Sequence, residues 1–142
     1  MRGVTLRSRF LCDEIPPPPD NSMDVAEAEL KKLPETATTR ERTEAVTVKA
    51  SAACAACHES IINPLGYPFE RFDSLARLRS EETIVSTKTG AVIARSPIDT
   101  TSVPRVSEGD ASRVDGPAAL VELVRKSGRA HGCFARTYVR FA

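Results

Sequence analysis

The chain has 142 residues, with 20 Lys and Arg against 19 Asp and Glu and a net charge of +1 at neutral pH. That balance gives no general electrostatic case for nucleic acid or an anionic membrane, and no run of about 18 apolar residues exists to span a bilayer. The length fits one domain able to bury roughly 68–70% of its unfolded surface, yet only 5% of the residues are aromatic and none is Trp.

Residues 1–10 carry Arg2, Arg7 and Arg9 but no continuous apolar stretch and no small-residue cleavage site, so they do not read as a signal peptide. Residues 3–11 read as a short helix or an extended segment, with Val4, Leu6, Phe10 and Leu11 as its apolar members. Four prolines, Pro16 to Pro19, lack amide donors and favour a stiff polyproline II spacer over a docking motif. Residues 20–32 read as a short helix ended by Pro34, or as a loop lying over the domain. Residues 1–37 are thus an N-terminal segment, and the domain proper is expected over 38–142.

Thr38 with Glu41 three positions later forms a capping box, and the helix it opens should run from Thr39 to Lys49 or Ala50. Ser51 then caps a second helix reaching about Ser60, which holds Cys54-Ala-Ala-Cys57-His58. Cys-x-x-Cys-His is the attachment signature of c-type haem. Positions three apart share one helix face, so the two thiols can reach the two vinyl groups of one porphyrin. His58, next in line, is carried under the iron as the proximal ligand. Three plainer readings compete. A thiol–disulfide pair usually follows a strand in a βαβ unit, whereas the upstream stretch here reads as helix. Half of a zinc site would need a second Cys-x-x-Cys or a His pair, and none follows. Coincidence in an alanine-rich helix is the third.

Cys12 and Cys133 remain. A bond between them would close most of the chain and add roughly 4–5 kcal/mol in the chain-entropy model. Two buried thiols are the alternative, and sequence leaves the choice open because the approach of their Cα atoms is not readable.

Beyond the motif, Asn63-Pro64 and Gly66 are expected to end the helix with a turn, and Pro68 to open a short one. Leu65, Tyr67, Phe69 and Phe72 form an apolar cluster, either lining a haem face or serving as ordinary core. Residues 83–85 and 91–93 flank Thr87-Lys88-Thr89-Gly90 and read as a hairpin. A loop follows through Gly109. Asp115 as N-cap and Pro117 in the first turn start another helix, with Leu120, Val121 and Val124 on one face and Gly128 as its stop. The last helix, over 129–142, carries Phe134, Tyr138 and Phe141 at i, i+4 and i+7, a stripe expected to pack into the core. Arg125, Lys126, Arg129, Arg136 and Arg140 follow Glu122 with no further acid, which reads as a solvated face or a docking patch.

Taken together, Arg2-Gly3-Val4, Leu11-Cys12-Asp13, the proline run, Thr39-Arg40-Glu41-Arg42, Cys54 to His58, Ile62 to Gly66, Phe69 to Asp73, Ile98-Asp99 and Cys133-Phe134 make a wider pattern. The chain resembles the C-terminal cytochrome-c-like region of the large exported proteins of planctomycetes and myxobacteria that are built from serial domains of unknown function. Asn63 departs from the family, which more often has aspartate there. The resemblance implies a haem c domain in an exported protein, and supplies no substrate.

The expected fold is mainly α: a cytochrome-c-like helical haem domain with a small β-hairpin insertion near 83–93 and a Pro-rich N-terminal segment. The expected function is covalent haem c binding through Cys54, Cys57 and His58, with one-electron transfer. The expected partner is a redox protein or the upstream domains of one polypeptide. Haem is attached outside the bacterial cytoplasm, where thiols also oxidise. The chain therefore reads as the C-terminal module of a longer protein, periplasmic or at the cell surface; made alone from Met1 it would stay cytoplasmic. The distal iron ligand is open between His131 and Met23, the only other His and the only Met besides Met1, with Lys or an open site as further options. An open site would instead suit a peroxidase-like or oxidase module, though no placed acid–base group is evident. A non-redox structural or binding module of a surface protein is the other alternative. No phosphate loop, nucleophile elbow or His-Glu-x-x-His is present.

Overall fold

The computed structural model describes residues 2–142, and about half of them are helical. The fold is mainly α with a small antiparallel hairpin. The chain divides into two compact units. The first takes residues up to Pro17, Ser60–Phe69 and Thr100–Ala142; the second takes Pro18–Glu59 and Glu70–Asp99.

In the first unit, α1 (Arg2–Thr5) widens into a π-type turn over Leu6–Phe10. It packs on α5 (Asn63–Gly66), which runs into a 3-10 turn at Tyr67–Phe69. Gly3 is required at that crossing, because a Cβ there would lie 1.9 Å from the Ile62 carbonyl oxygen. Two short strands, β3 (Thr101–Ser102) and β4 (Val114–Asp115), pair antiparallel ahead of α6 (Gly116–Ser127). α7 (Arg129–Phe141) closes the unit. Between α6 and α7, Gly128 adopts φ +70°, a left-handed stop that only glycine takes without strain. The core is Leu11, Leu65, Val106, Val114 and Leu120, with Leu6, Phe69, Leu123 and Val124 packed around it.

A charged cluster ties the unit's segments together. Arg7 is only 3% exposed and donates to the carbonyls of Ile61, Pro104 and Arg105 and to Asp13 Oδ2 at 3.0 Å. Arg129 donates to Asp13 Oδ1 at 2.5 Å and to the carbonyls of Leu11 and Val106. Cys12 and Cys133 are joined by a disulfide, with Cα atoms 5.3 Å apart across 121 positions.

The second unit centres on a π-type turn, Ala45–Lys49. Against it pack α2 (Ser22–Leu30), α3 (Thr39–Glu44) and α4 (Ala52–Cys57). The expected capping box is present: Thr38 Oγ1 accepts from Glu41 N while Glu41 Oε2 accepts from Thr38 N at 2.7 Å. The hairpin is β1 (Glu81–Val85) and β2 (Val92–Pro97), pairing Glu81 with Pro97 and Val85 with Val92, with an irregularity between Ile84 and Val85. Glu35 holds its turn by accepting from Ser86 Oγ and Thr87 N, both at 2.9 Å. Buried apolar side chains here are few and mostly small: Ala37, Ala45 and Ile84.

Three expectations are corrected. Asn63-Pro64 does not stop the helical run; α5 begins there, with Pro64 in its first turn, where no amide donor is required. Asp115 stands at the N-cap of α6 but makes no side-chain cap bond, because its carboxylate accepts from Thr100 Oγ1 instead. The aromatic stripe of α7 does not enter the core: Phe134, Tyr138 and Phe141 are 72%, 65% and 88% exposed.

Candidate functional site

The site is built on α4. Ser51 has extended φ and ψ, and its Oγ accepts from Cys54 N at 3.1 Å. This is an N-cap bond, and it fixes the backbone of the first cysteine directly. Ala55 N donates to Ser51 O at 2.9 Å, so the helix is closed from its first turn. Cys57 is the last residue of α4, and His58 is its C-cap with an N–H shared between the carbonyls of Cys54 and Ala55. A π-type turn, His58–Ile62, follows directly. Such turns rotate a side chain out of the α-helical phase and often mark functional positions.

Cys54 and Cys57 are both unbonded and both half-buried. Ala52, Ala53 and Ala56 beside them are exposed. His58 is also half-buried. The three residues therefore lie in one helical stretch, each half-buried.

Two of the competing readings find little support in these surroundings. The described strands pair only antiparallel, β1 with β2 and β3 with β4, and α4 follows helix and not strand. The βαβ setting of a thioredoxin-like pair is thus not formed by the described residues. Among the described residues no group of three or more His, Cys, Asp or Glu side chains is placed to hold a metal ion, and a four-ligand zinc site needs such a group.

The unit that carries the motif has the thinner apolar core. It buries only two alanines and Ile84 as core, whereas Leu65, Leu120 and Val106, the large fully buried apolar side chains, belong to the first unit. Cys54 and Cys57 would hold haem and His58 would ligate its iron.

The two distal candidates belong to different units. Met23 stands on α2 in the second unit, 78% exposed. His131 stands exposed on α7 in the first unit. Of the apolar cluster, Leu65 and Phe69 join the first unit's core, and Phe72 belongs to the second unit.

A second polar feature escaped sequence reading. In the second unit a cleft is lined by Arg40, Glu44, Glu70, Arg79, Glu82 and Asp99 among others. Arg40 pairs with Asp99 at 2.5 Å, and Glu82 accepts from the N–H of Thr39 at 3.0 Å. Arg79 donates to the Glu70 carbonyl at 3.3 Å while its Nε is buried without an acceptor. These residues are scattered over sixty positions, so no local spacing announces them.

The model of one protein family, PSCyt3, described as a protein of unknown function (DUF1588), matches residues 1–82. That span includes Cys12, Met23, Cys54, Cys57 and His58, and stops short of His131 and Cys133. No curated protein and no solved structure matches the chain.

Proposed function

The chain belongs to the PSCyt3 family, and for it we propose covalent attachment of c-type haem through Cys54 and Cys57, with His58 as proximal ligand, in the service of one-electron transfer. The observation that carries this reading is a pair of half-buried cysteines outside any disulfide, three positions apart on one helix and followed by His58, in the unit with the thinner apolar core. When bound, the group supplies reversible one-electron chemistry whose potential follows its axial ligands and burial.

The residues have separable tasks. Cys54 and Cys57 fix the ring covalently, so the group stays in place whatever its oxidation state. Ser51 holds the first of them by its cap bond. His58, held in the helix by its backbone N–H, would supply an imidazole nitrogen to the iron. The exposed alanines leave room for a flat ring to lie close to the backbone.

The disulfide supports an address outside the cytoplasm. A cystine between Cys12 and Cys133 belongs in an oxidising compartment. Two neighbouring thiols left unpaired in that same compartment call for another fate, and thioether formation is one. A helix long and apolar enough to cross a membrane is not found among the described residues.

The test is to export the chain behind a signal peptide in a bacterium that matures cytochromes c, then record intact mass and a haemochrome spectrum. One haem per chain through two thioethers is expected. Cys54→Ala or Cys57→Ala should each retain a single thioether and shift the haemochrome band, and His58→Ala should lose the proximal ligand. A folded, exported chain without covalent haem, beside a control cytochrome that matures, rules the proposal out.

A further inference from the structure

α7 has its amphipathy turned inside out. Its buried member is Cys133, bonded to Cys12. Arg129, one turn before, is drawn to Asp13 and to the carbonyls of Leu11 and Val106. Arg136 donates to the Cys12 carbonyl at 3.3 Å, and Arg140 follows Cys133 at i+7 on the same side. The cations therefore share the anchored face. Phe134, Tyr138 and Phe141 are left on another, 72%, 65% and 88% exposed. Phe134 and Tyr138 are already stacked, with ring centroids 6.5 Å apart and planes at 24°.

We propose that this ridge is a self-association surface, covered by the same ridge of a second copy. Symmetry is the first argument. Tyr138 lies four positions after Phe134 and three before Phe141. Antiparallel packing about a twofold axis through Tyr138 therefore sets Phe134 against Phe141 of the second copy, and the reverse contact follows by symmetry.

Area is the second. A fully exposed aromatic offers about 150–250 Å², so the three rings at their exposures offer on the order of 450 Å² per copy and about 900 Å² for the pair. The exposed His131 on the ridge's shoulder brings the pair to the roughly 1,000 Å² that a specific interface needs. An interface of that size gives a pair that dissociates on dilution, not an obligate dimer.

Charge is the third. Arg129 and Arg136 are turned to the protein's own carbonyls, and the exposed Arg140 lies on their side of the helix, away from the aromatic ridge.

Sedimentation of the full chain from about 5 to about 500 μM, spanning weak to moderate affinities, tests this. The weight-average mass should double across that range. Tyr138→Glu and Phe134→Glu, both at exposed positions, should keep the monomer mass with an unchanged melting curve. Tyr138→Cys, in a Cys54→Ser, Cys57→Ser background, should oxidise to a covalent dimer through the dyad. A monomer at every concentration overturns the proposal, as does a dimer that persists in Tyr138→Glu. Binding of the monomer to vesicles of phosphatidylglycerol and phosphatidylcholine, without self-association, overturns it in favour of a lipid surface.

Discussion

Reducing the Cys12–Cys133 bond, or replacing both residues by Ala, should weaken the first unit more than any other single covalent change. The bond spans 121 positions. In the chain-entropy description, closing a loop of that length removes about 16 cal/mol/K from the unfolded ensemble, or about 5 kcal/mol at 25 °C. Both cysteines lie in the first unit, on segments far apart in sequence. The Arg7–Asp13–Arg129 cluster persists at the same junction when the sulfurs part, so the folded geometry should survive and the loss should be chiefly entropic. At about 1–3 kcal/mol per M in urea, the midpoint should fall by about 2 M. Urea titrations of oxidised and reduced protein, followed by far-UV circular dichroism, read this directly; iodoacetamide labelling confirms which thiols are open. Coincident midpoints, within about 0.3 M, would show that the junction is held without the bond and would refute the reasoning.

Gly3→Ala should destabilise the first unit by about 3 kcal/mol or more, because its Cβ would meet a backbone oxygen that cannot move aside, and a urea midpoint shift below 0.5 M would contradict that crossing. Acid should loosen the fold in a defined window. Hydrogen bonds from Ser86 and Thr87 hold the Glu35 carboxyl below its usual 4.5, and the Arg125 side chain pulls Glu122 down to about 2. A carboxyl depressed by folding adds stability above its unfolded value and loses it as pH falls toward the folded one. The thermal midpoint should therefore drop from about pH 4.5 toward pH 2, less steeply in Glu35→Gln; identical pH profiles for the two proteins would remove Glu35 from the account.

Local chemistry was legible in the sequence where one residue's backbone need decides the outcome. Thr38 with Glu41, Ser51 before Cys54, and Gly128 after Ser127 each set a helix end within a few positions. The hairpin was legible for the same reason, since β-rich runs flank a short turn ending in Gly90. The Cys54 to His58 signature was legible because two thiols and an imidazole are close in sequence. What escaped was settled at a distance. Asp115 finds Thr100 fifteen positions away, and that partner displaces its cap bond. Arg7 finds carbonyls 54, 97 and 98 positions away; nothing around it marks a buried arginine. The helix stop expected at Pro64 failed because a missing N–H is harmful only inside a helix, and a new one starts there.

The orientation of α7 shows why periodicity alone misleads. A stripe at i, i+4 and i+7 says that a helix has one apolar face; it does not say what else grips the helix. Here Cys133 is covalently tied to Cys12, and Arg129 is charge-paired to Asp13 in the next position. Those two anchors lie one turn apart on a single face, so they fix the rotation of the helix about its axis. Phe134 follows Cys133 by one position, about 100° around the helix, and is carried away from the anchored face. Burying the stripe would require breaking a covalent bond and taking Arg129 away from Asp13, which would keep Arg7 as its partner. Arg129 would also give up its bonds to Asp13 and to the carbonyls of Leu11 and Val106, each worth about 0.5–1.5 kcal/mol, on top of the cystine. The aromatic rings, each worth roughly 1.5–3 kcal/mol when fully buried and already partly covered, at best offset those ties by turning inward, and stay exposed on the unit's surface.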